Sequence, residues 1–94
     1  TEIEDALMRH PAVQNVAVIG VPDPVRTEVI KAFVVLAAGH TGDEALVAEL
    51  QDFVRSRLAR HEVPRLIEFM DALPMTTTHK IMRRELRERE KQRS

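Results

Sequence analysis

The stretch VQNVAVIGVPDPVRTEVIKAFVVL, residues 13–36, sets the architecture because it holds two apolar runs around a short polar turn. The runs Val13–Val21 and Glu28–Leu36 are rich in β-branched residues, which favour strands. Between them, Pro22 and Pro24 cannot donate hydrogen bonds to a sheet, so PDPVRT predicts a turn. We therefore predict that the two strands pair as a long hairpin.

Helical and strand patterns surround this hairpin. The predicted segments are a helix from Thr1 to Pro11, a helix from Asp43 to about Arg60, a strand at Leu66–Phe69 and a helix from Ile81 onward. Thr1 and Glu4 fit a capping box for the first helix. The third strand follows a helix-sized connection, which favours parallel pairing. This order predicts a two-layer α+β domain in which helices pack against a small mixed sheet of about three strands.

Composition limits the classes of protein to consider. The chain has 94 residues, 44% of them hydrophobic and 31% charged, with a formal net charge of -1, as expected for one domain with a modest core. We find no apolar run of membrane-spanning length, no signal peptide and no cysteine, so we expect a cytoplasmic protein without membrane contact. Glutamates interleave with the arginines of RRELREREKQRS, which argues against nucleic-acid binding.

Metal and stacking sites are not indicated by the sequence. The four histidines have no metal-ligand spacing and there is no cysteine, so no metal site is predicted in this chain. The only aromatic residues, Phe33, Phe53 and Phe69, sit in apolar patterns and are predicted to belong to the core.

The segment LPMTTTHKIMRREL, residues 73–86, allows two interpretations. In the first, Thr76–Thr78 cap the last helix and Lys80 is an ordinary surface lysine. In the second, Lys80 stands at a helix start, where backbone amides favour anions, and presents its ammonium group to an anionic ligand. The local pattern alone leaves both open.

Two separated blocks carry a family resemblance: TEIEDALMRHPAVQNVAVIGVPDPVRTEVIKAFVVL and IEFMDALPMTTTHKIMRRELR. Together they resemble the C-terminal domain of adenylate-forming acyl-CoA synthetases, most closely the medium-chain type. The resemblance implies a hinge upstream of Thr1 and, further upstream, a large N-terminal domain. That large domain would bind ATP, Mg²⁺ and a carboxylic acid. It also implies that the C-terminal domain is mobile, serves both adenylate and thioester formation, and is inactive alone.

The resemblance also assigns roles to individual residues. Lys80 corresponds to the catalytic lysine that ends the family pattern Pro-Lys-Thr-x-x-Gly-Lys, and residues Thr76, Thr77, Thr78 and His79 form the motif loop before it. Arg26 and Arg55 match family positions that carry cations near the nucleotide end of coenzyme A, where guanidinium groups suit phosphate.

This chain departs from the family pattern at three positions. Met75 replaces the first lysine of the motif, His79 replaces the glycine before Lys80, and Thr27 replaces a glycine after Arg26. Glycine tolerates positive φ, whereas histidine costs more in that conformation and adds bulk. We therefore expect His79 to impair the delivery of Lys80.

A second class of function competes with the enzymatic one. The chain could be a detached binding module that presents Lys80 to a partner, such as a lysine acyltransferase. An upstream ATP-binding domain in the same gene would separate the two hypotheses.

Overall fold

The computed structural model describes residues 2–93, so the predicted cap at Thr1 lies outside the described residues. The elements along the chain are helix α1 (Glu2–Met8), strand β1 (Val13–Asp23), strand β2 (Thr27–Leu36), helix α2 (Glu44–Arg55), a 3₁₀ turn (Arg60–Glu62), strand β3 (Leu66–Met70) and helix α3 (Arg83–Arg93). The order of helices and strands agrees with the prediction.

The sheet is mixed and has the strand order β1-β2-β3. Strands β1 and β2 form the expected antiparallel hairpin, and β3 runs parallel to β2, with Lys31 opposite Leu66 at one end of the ladder. Pro22 lies within β1, opposite Glu28, rather than in the turn. A proline is tolerated there because β1 is an edge strand, where its missing N–H breaks no ladder bond.

Helices cover both faces of the sheet. On one face, α1 and α2 pack on the strands through a core whose buried members are Ile3, Leu7, Val13, Val16, Ala32, Val34, Leu50 and Val54. On the other face lie α3 and the segment before it, with buried Ala17, Ile19, Val21, Val29, Phe33, Val35, Leu73 and Leu86. Side chains alternate between the faces along each strand, as the pleat requires. The α+β class and the three-stranded mixed sheet are confirmed, but helices cover both faces, so the sheet is the middle of three layers and not one of the predicted two.

Three helix boundaries differ from the prediction. The first helix ends at Met8 and does not run up to Pro11. The main helix α2 ends at Arg55 and not near Arg60, with Ser56 as its C-cap residue. The last helix begins at Arg83 and not at Ile81, because Ile81 forms an isolated antiparallel bridge with Met75. The apolar pattern alone cannot distinguish this bridge from the first turn of a helix. Ile81 is apolar and half-buried, which fits a bridge as well as a helical turn.

The phenylalanines differ in burial. Phe33 is fully buried, whereas Phe69 is only partly buried against the core formed with α1 and α2. Phe53 is partly exposed at the domain surface, and the predicted core position is therefore wrong for it. The Phe53 ring is 4.9 Å from the His10 ring in an edge-to-face arrangement. The Arg57 guanidinium lies over the Phe53 ring, 3.6 Å from its centroid.

Candidate functional site

The segment around Lys80 forms a small hairpin between Leu73 and α3. Its base closes through the bond from the Met82 amide to the Pro74 carbonyl, 2.8 Å long. One step further, Met75 and Ile81 pair as an antiparallel bridge. The hairpin therefore places Lys80 at the tip of a separate protrusion and not inside a helix.

Backbone hydrogen bonds define the loop at the tip. The Thr76 amide donates to the Lys80 carbonyl at 2.9 Å, and the His79 amide donates to the Thr76 carbonyl at 2.9 Å. This pattern is typical of a three-residue hairpin loop in which the last residue is left-handed. His79 fills that position with φ of 61°. The glycine of the family pattern is thus replaced at a position where the backbone favours glycine.

The threonines stabilise this loop and do not cap α3. The Thr76 hydroxyl accepts the Lys80 amide at 3.1 Å and lies 2.9 Å from the Thr78 hydroxyl. Because α3 starts only at Arg83, the expected helix cap is wrong, and so is the expected position of Lys80 directly at a helix start. Thr77 is exposed and makes no hydrogen bond within residues 2–93.

The Lys80 side chain is exposed and has no ion-pair partner among the described residues. Its ammonium group is therefore available to an external anion without the loss of an existing salt bridge. A lysine of this kind acts as a mobile point charge on a flexible stem. The rigid hairpin fixes where that stem begins.

Arg26 lies on a second protrusion, the turn between β1 and β2. The Asp23 carboxylate accepts the amides of Val25 at 3.1 Å and Arg26 at 2.8 Å, and Thr27 has φ of 70°. The Val25 side chain is 88% exposed at the tip. Thr27, which also stands where the family pattern has glycine, thus has a left-handed backbone as well. Arg26 therefore lies on a tight, solvent-facing turn.

Arg55 lies at the last residue of α2 and pairs with Asp52 on the same helix. It lines a polar cleft of about 310 Å³ together with Arg60, Arg65 and Gln51. Sequence patterns missed Arg60 and Arg65 because these residues lie in the 3₁₀ turn and before β3, where no periodicity connects them to Arg55.

A partly buried ion pair, between Glu4 of α1 and Arg83 at the start of α3, was also missed. Arg83 Nη2 lies 2.6 Å from both carboxylate oxygens of Glu4, and the Val18 amide donates to the same carboxylate at 2.8 Å. Burial alone would raise the pKa of Glu4, but these hydrogen bonds, chiefly the one from Arg83, hold it below its usual value. Glu4 is therefore ionised at neutral pH.

The three cationic positions belong to separate surfaces. Within residues 2–93, no hydrogen bond or ion pair joins the Lys80 hairpin to the Arg26 turn or to the Arg55 cleft.

Neither a metal site nor a membrane span is found in the part of the chain that the structure describes. It contains no group of three or more His, Cys, Asp or Glu that could hold a metal ion, and no helix in it is long and apolar enough to cross a membrane.

Comparison with known proteins gives the family. Residues 2–80 match the AMP-binding enzyme C-terminal domain. The human mitochondrial acyl-coenzyme A synthetase ACSM2A is 53% identical over 96% of this chain and 16% of its own length. The Brucella canis acyl-CoA synthetase structure superposes with a TM-score of 0.95 at 48% identity, over 98% of this chain and 17% of that protein.

A further solved structure is the anthranilate CoA ligase AuaEII in complex with anthranoyl-AMP. It is 43% identical, with a TM-score of 0.87 over 94% of this chain and 17% of its own. The chain thus spans about one sixth of the length of the relatives it matches. The chain belongs to the family of AMP-binding enzyme C-terminal domains, in the branch found in acyl-CoA synthetases.

Proposed function

We propose that this chain is the mobile C-terminal domain of an ATP-dependent acyl-CoA synthetase and that it supplies Lys80 for carboxylate adenylation. The observation that carries the proposal is the exposed Lys80 ammonium at the tip of a rigid hairpin, at the position of the family's lysine. The cytoplasmic location inferred from the sequence stays a prediction.

The chemistry requires a positive charge at the reacting groups. A carboxylate that attacks the α-phosphorus of ATP brings two anions together, releases pyrophosphate and leaves an acyl-adenylate. The Lys80 ammonium would offset that repulsion and hold the two groups in line. The acyl-adenylate bound to the AuaEII relative supports this class of reaction. We propose that the N-terminal domain of the full-length enzyme binds Mg²⁺, as the family resemblance implies.

The second half-reaction would use the other cationic surfaces. Coenzyme A carries phosphates at its nucleotide end, and guanidinium groups bind phosphate well. The exposed Arg26 turn offers one such group, and the cleft lined by Arg55, Arg60 and Arg65 offers three. We propose that Arg26 and Arg55 contact coenzyme A during thioester formation.

The Lys80→Ala variant of the full-length enzyme tests the first role. We expect adenylation, measured as pyrophosphate release in a single turnover, to fall by at least a hundredfold, on the order expected for a positioned electrostatic group. Thioester formation from supplied acyl-adenylate should stay within about twofold of wild type, since the charge acts only while the α-phosphate is attacked. The isolated domain should release no pyrophosphate. Equal losses in both half-reactions would contradict the proposed role.

Arg26→Ala and Arg55→Ala test the coenzyme A surface. We expect each variant to raise KM for coenzyme A several-fold. Each loses one charge-assisted hydrogen bond, which contributes about 1.5–3 kcal/mol, and water replaces part of that contact. Adenylation rates should stay unchanged. If neither variant changes coenzyme A kinetics, these arginines do not belong to the site.

A second function is favoured by the same exposure. Lys80 protrudes on a tight hairpin, which suits recognition by a lysine acyltransferase, and acylation would remove its charge. The test is incubation of the 94-residue chain with an acyltransferase and acetyl-CoA, followed by mass spectrometry. Exclusive labelling of Lys80 would support the binding-module hypothesis. If the full-length enzyme is also active, acylation of Lys80 would regulate its adenylation step.

A further inference from the structure

We propose that the Glu4–Arg83 ion pair is the device that positions the Lys80 hairpin, and that it acts on adenylation only through Lys80. This inference rests on the proposed function of Lys80. Arg83 and Glu4 are positioning residues and touch no substrate. Their role follows from how the hairpin is attached to the domain.

The tip of the hairpin has no side-chain anchor of its own. Residues Thr76 to Lys80 are all exposed, and the hydrogen bonds of this loop within residues 2–93 are internal to it. The direction in which Lys80 points is therefore set by the two legs of the hairpin and by what holds them.

Apolar packing holds the legs but does not orient them tightly. Leu73 before the hairpin is buried in the core under α3, and Ile81 packs against the same core. Such contacts are non-directional, so they stabilise the legs against leaving the core more than they fix the angle of the hairpin. A directional contact is needed to set that angle.

Arg83 supplies the directional contact. It lies three residues after Lys80, at the first residue of α3, and its Nη2 atom binds both oxygens of Glu4 at 2.6 Å. Glu4 is only 9% exposed and also accepts the Val18 amide of β1. One carboxylate thus joins α1, β1 and the start of α3, and charge-assisted hydrogen bonds are stronger than neutral ones and, unlike apolar contacts, depend on direction.

The reaction requires this attachment to hold Lys80 accurately in position. In-line attack tolerates little displacement, and a shift of about 1 Å in a positioned group can cost roughly a hundredfold in rate. Loss of the ion pair would leave the hairpin folded but free to tilt. Adenylation should then slow, whereas binding of ATP, acid and coenzyme A should not change.

The experiment is a double-mutant cycle between Arg83→Ala and Lys80→Ala in the full-length enzyme, with single-turnover adenylation as the readout. We expect Arg83→Ala to slow adenylation roughly tenfold or more, with KM for ATP and the thioester half-reaction unchanged. In the Lys80→Ala background, Arg83→Ala should have no further effect. Glu4→Gln should reproduce the behaviour of Arg83→Ala.

Glu90→Gln is the matched control, because Glu90 binds Lys31 at 2.6 Å and ties the other end of α3 to the sheet. It should change adenylation by less than about twofold. Three outcomes would overturn the inference. Glu90→Gln could slow adenylation as much as Arg83→Ala does, Arg83→Ala could slow it by the same factor with and without Lys80, or Arg83→Ala could leave the rate of adenylation unchanged. Retention of adenylation by Lys80→Ala alone would instead refute the proposed function, so the two failures are distinguishable.

Discussion

At the scale of single residues, His79 combines an unfavourable backbone with a critical position. Its φ of 61° lies in the left-handed region, which costs a residue with a β-carbon roughly 1 kcal/mol more than glycine. The neighbouring Lys80 is the residue on which the proposed chemistry depends. The family's glycine indicated a left-handed backbone at this position, and the φ of His79 confirms that conformation.

We therefore predict that His79→Gly increases the adenylation rate of the full-length enzyme several-fold, because strain is removed and bulk beside the phosphate-facing lysine is lost. Single-turnover adenylation across pH 6 to 8, where imidazole usually titrates, is the measurement. Thr27→Gly is the matched control, since Thr27 has the same left-handed backbone on a distant turn and should leave adenylation unchanged. A slower and less pH-dependent His79→Gly enzyme would show that the imidazole assists the reaction.

At the scale of elements, the strands were predictable and the hairpin around Lys80 was not. Two apolar, β-branched runs on either side of a proline-containing turn specify the β1–β2 pair without tertiary information. The Met75–Ile81 bridge consists of two residues separated by a polar loop, too short for any periodicity to reveal. A threonine-rich turn before a charged helix is equally compatible with a helix cap and a hairpin loop. Only the paired backbone bonds of Thr76 decide between them.

Thr76 is consequently predicted to support Lys80 through its hydroxyl. Thr76→Val keeps the shape but removes the acceptor of the Lys80 amide, a loss of about 1 kcal/mol for a hydrogen bond of this kind. We expect adenylation to slow about threefold to fivefold, measured as single-turnover pyrophosphate release. Thr77→Val removes a hydroxyl without a partner in the described part of the chain and should have no effect. Equal effects of both substitutions would exclude this role of Thr76.

At the scale of the whole molecule, polar side-chain contacts join elements that lie far apart in the sequence. His10 contacts Glu49 across 39 residues of sequence, Lys31 contacts Glu90 across 59, and Arg83 contacts Glu4 across 79. Such pairs leave no trace in local patterns, because each charged residue is also compatible with a solvated surface. For this reason local sequence patterns indicate the helices and strands but not the long-range contacts between them.

The Glu4–Arg83 pair also predicts how the stability of the 94-residue chain depends on pH. The pKa of Glu4 is lowered in the folded state below its usual value of 4.5, so the ionised carboxylate stabilises the fold. That contribution is complete above the unfolded-state pKa and is lost as pH falls through the folded-state pKa. At pH 7, Glu4→Gln should therefore lower Tm by roughly 5 °C or more.

As pH falls below 4.5, the difference in Tm between wild type and Glu4→Gln should shrink toward zero, because protonation makes the wild-type carboxyl as uncharged as the amide. Thermal unfolding followed by circular dichroism between pH 3 and 7 measures both curves. Asp71→Asn is the control: Asp71 is exposed, lies outside the helices and makes no ion pair within residues 2–93, so its variant should follow wild type at every pH. A Tm difference for Glu4→Gln that stays constant down to pH 3 would mean that the carboxylate charge does not stabilise the junction of α1, β1 and α3.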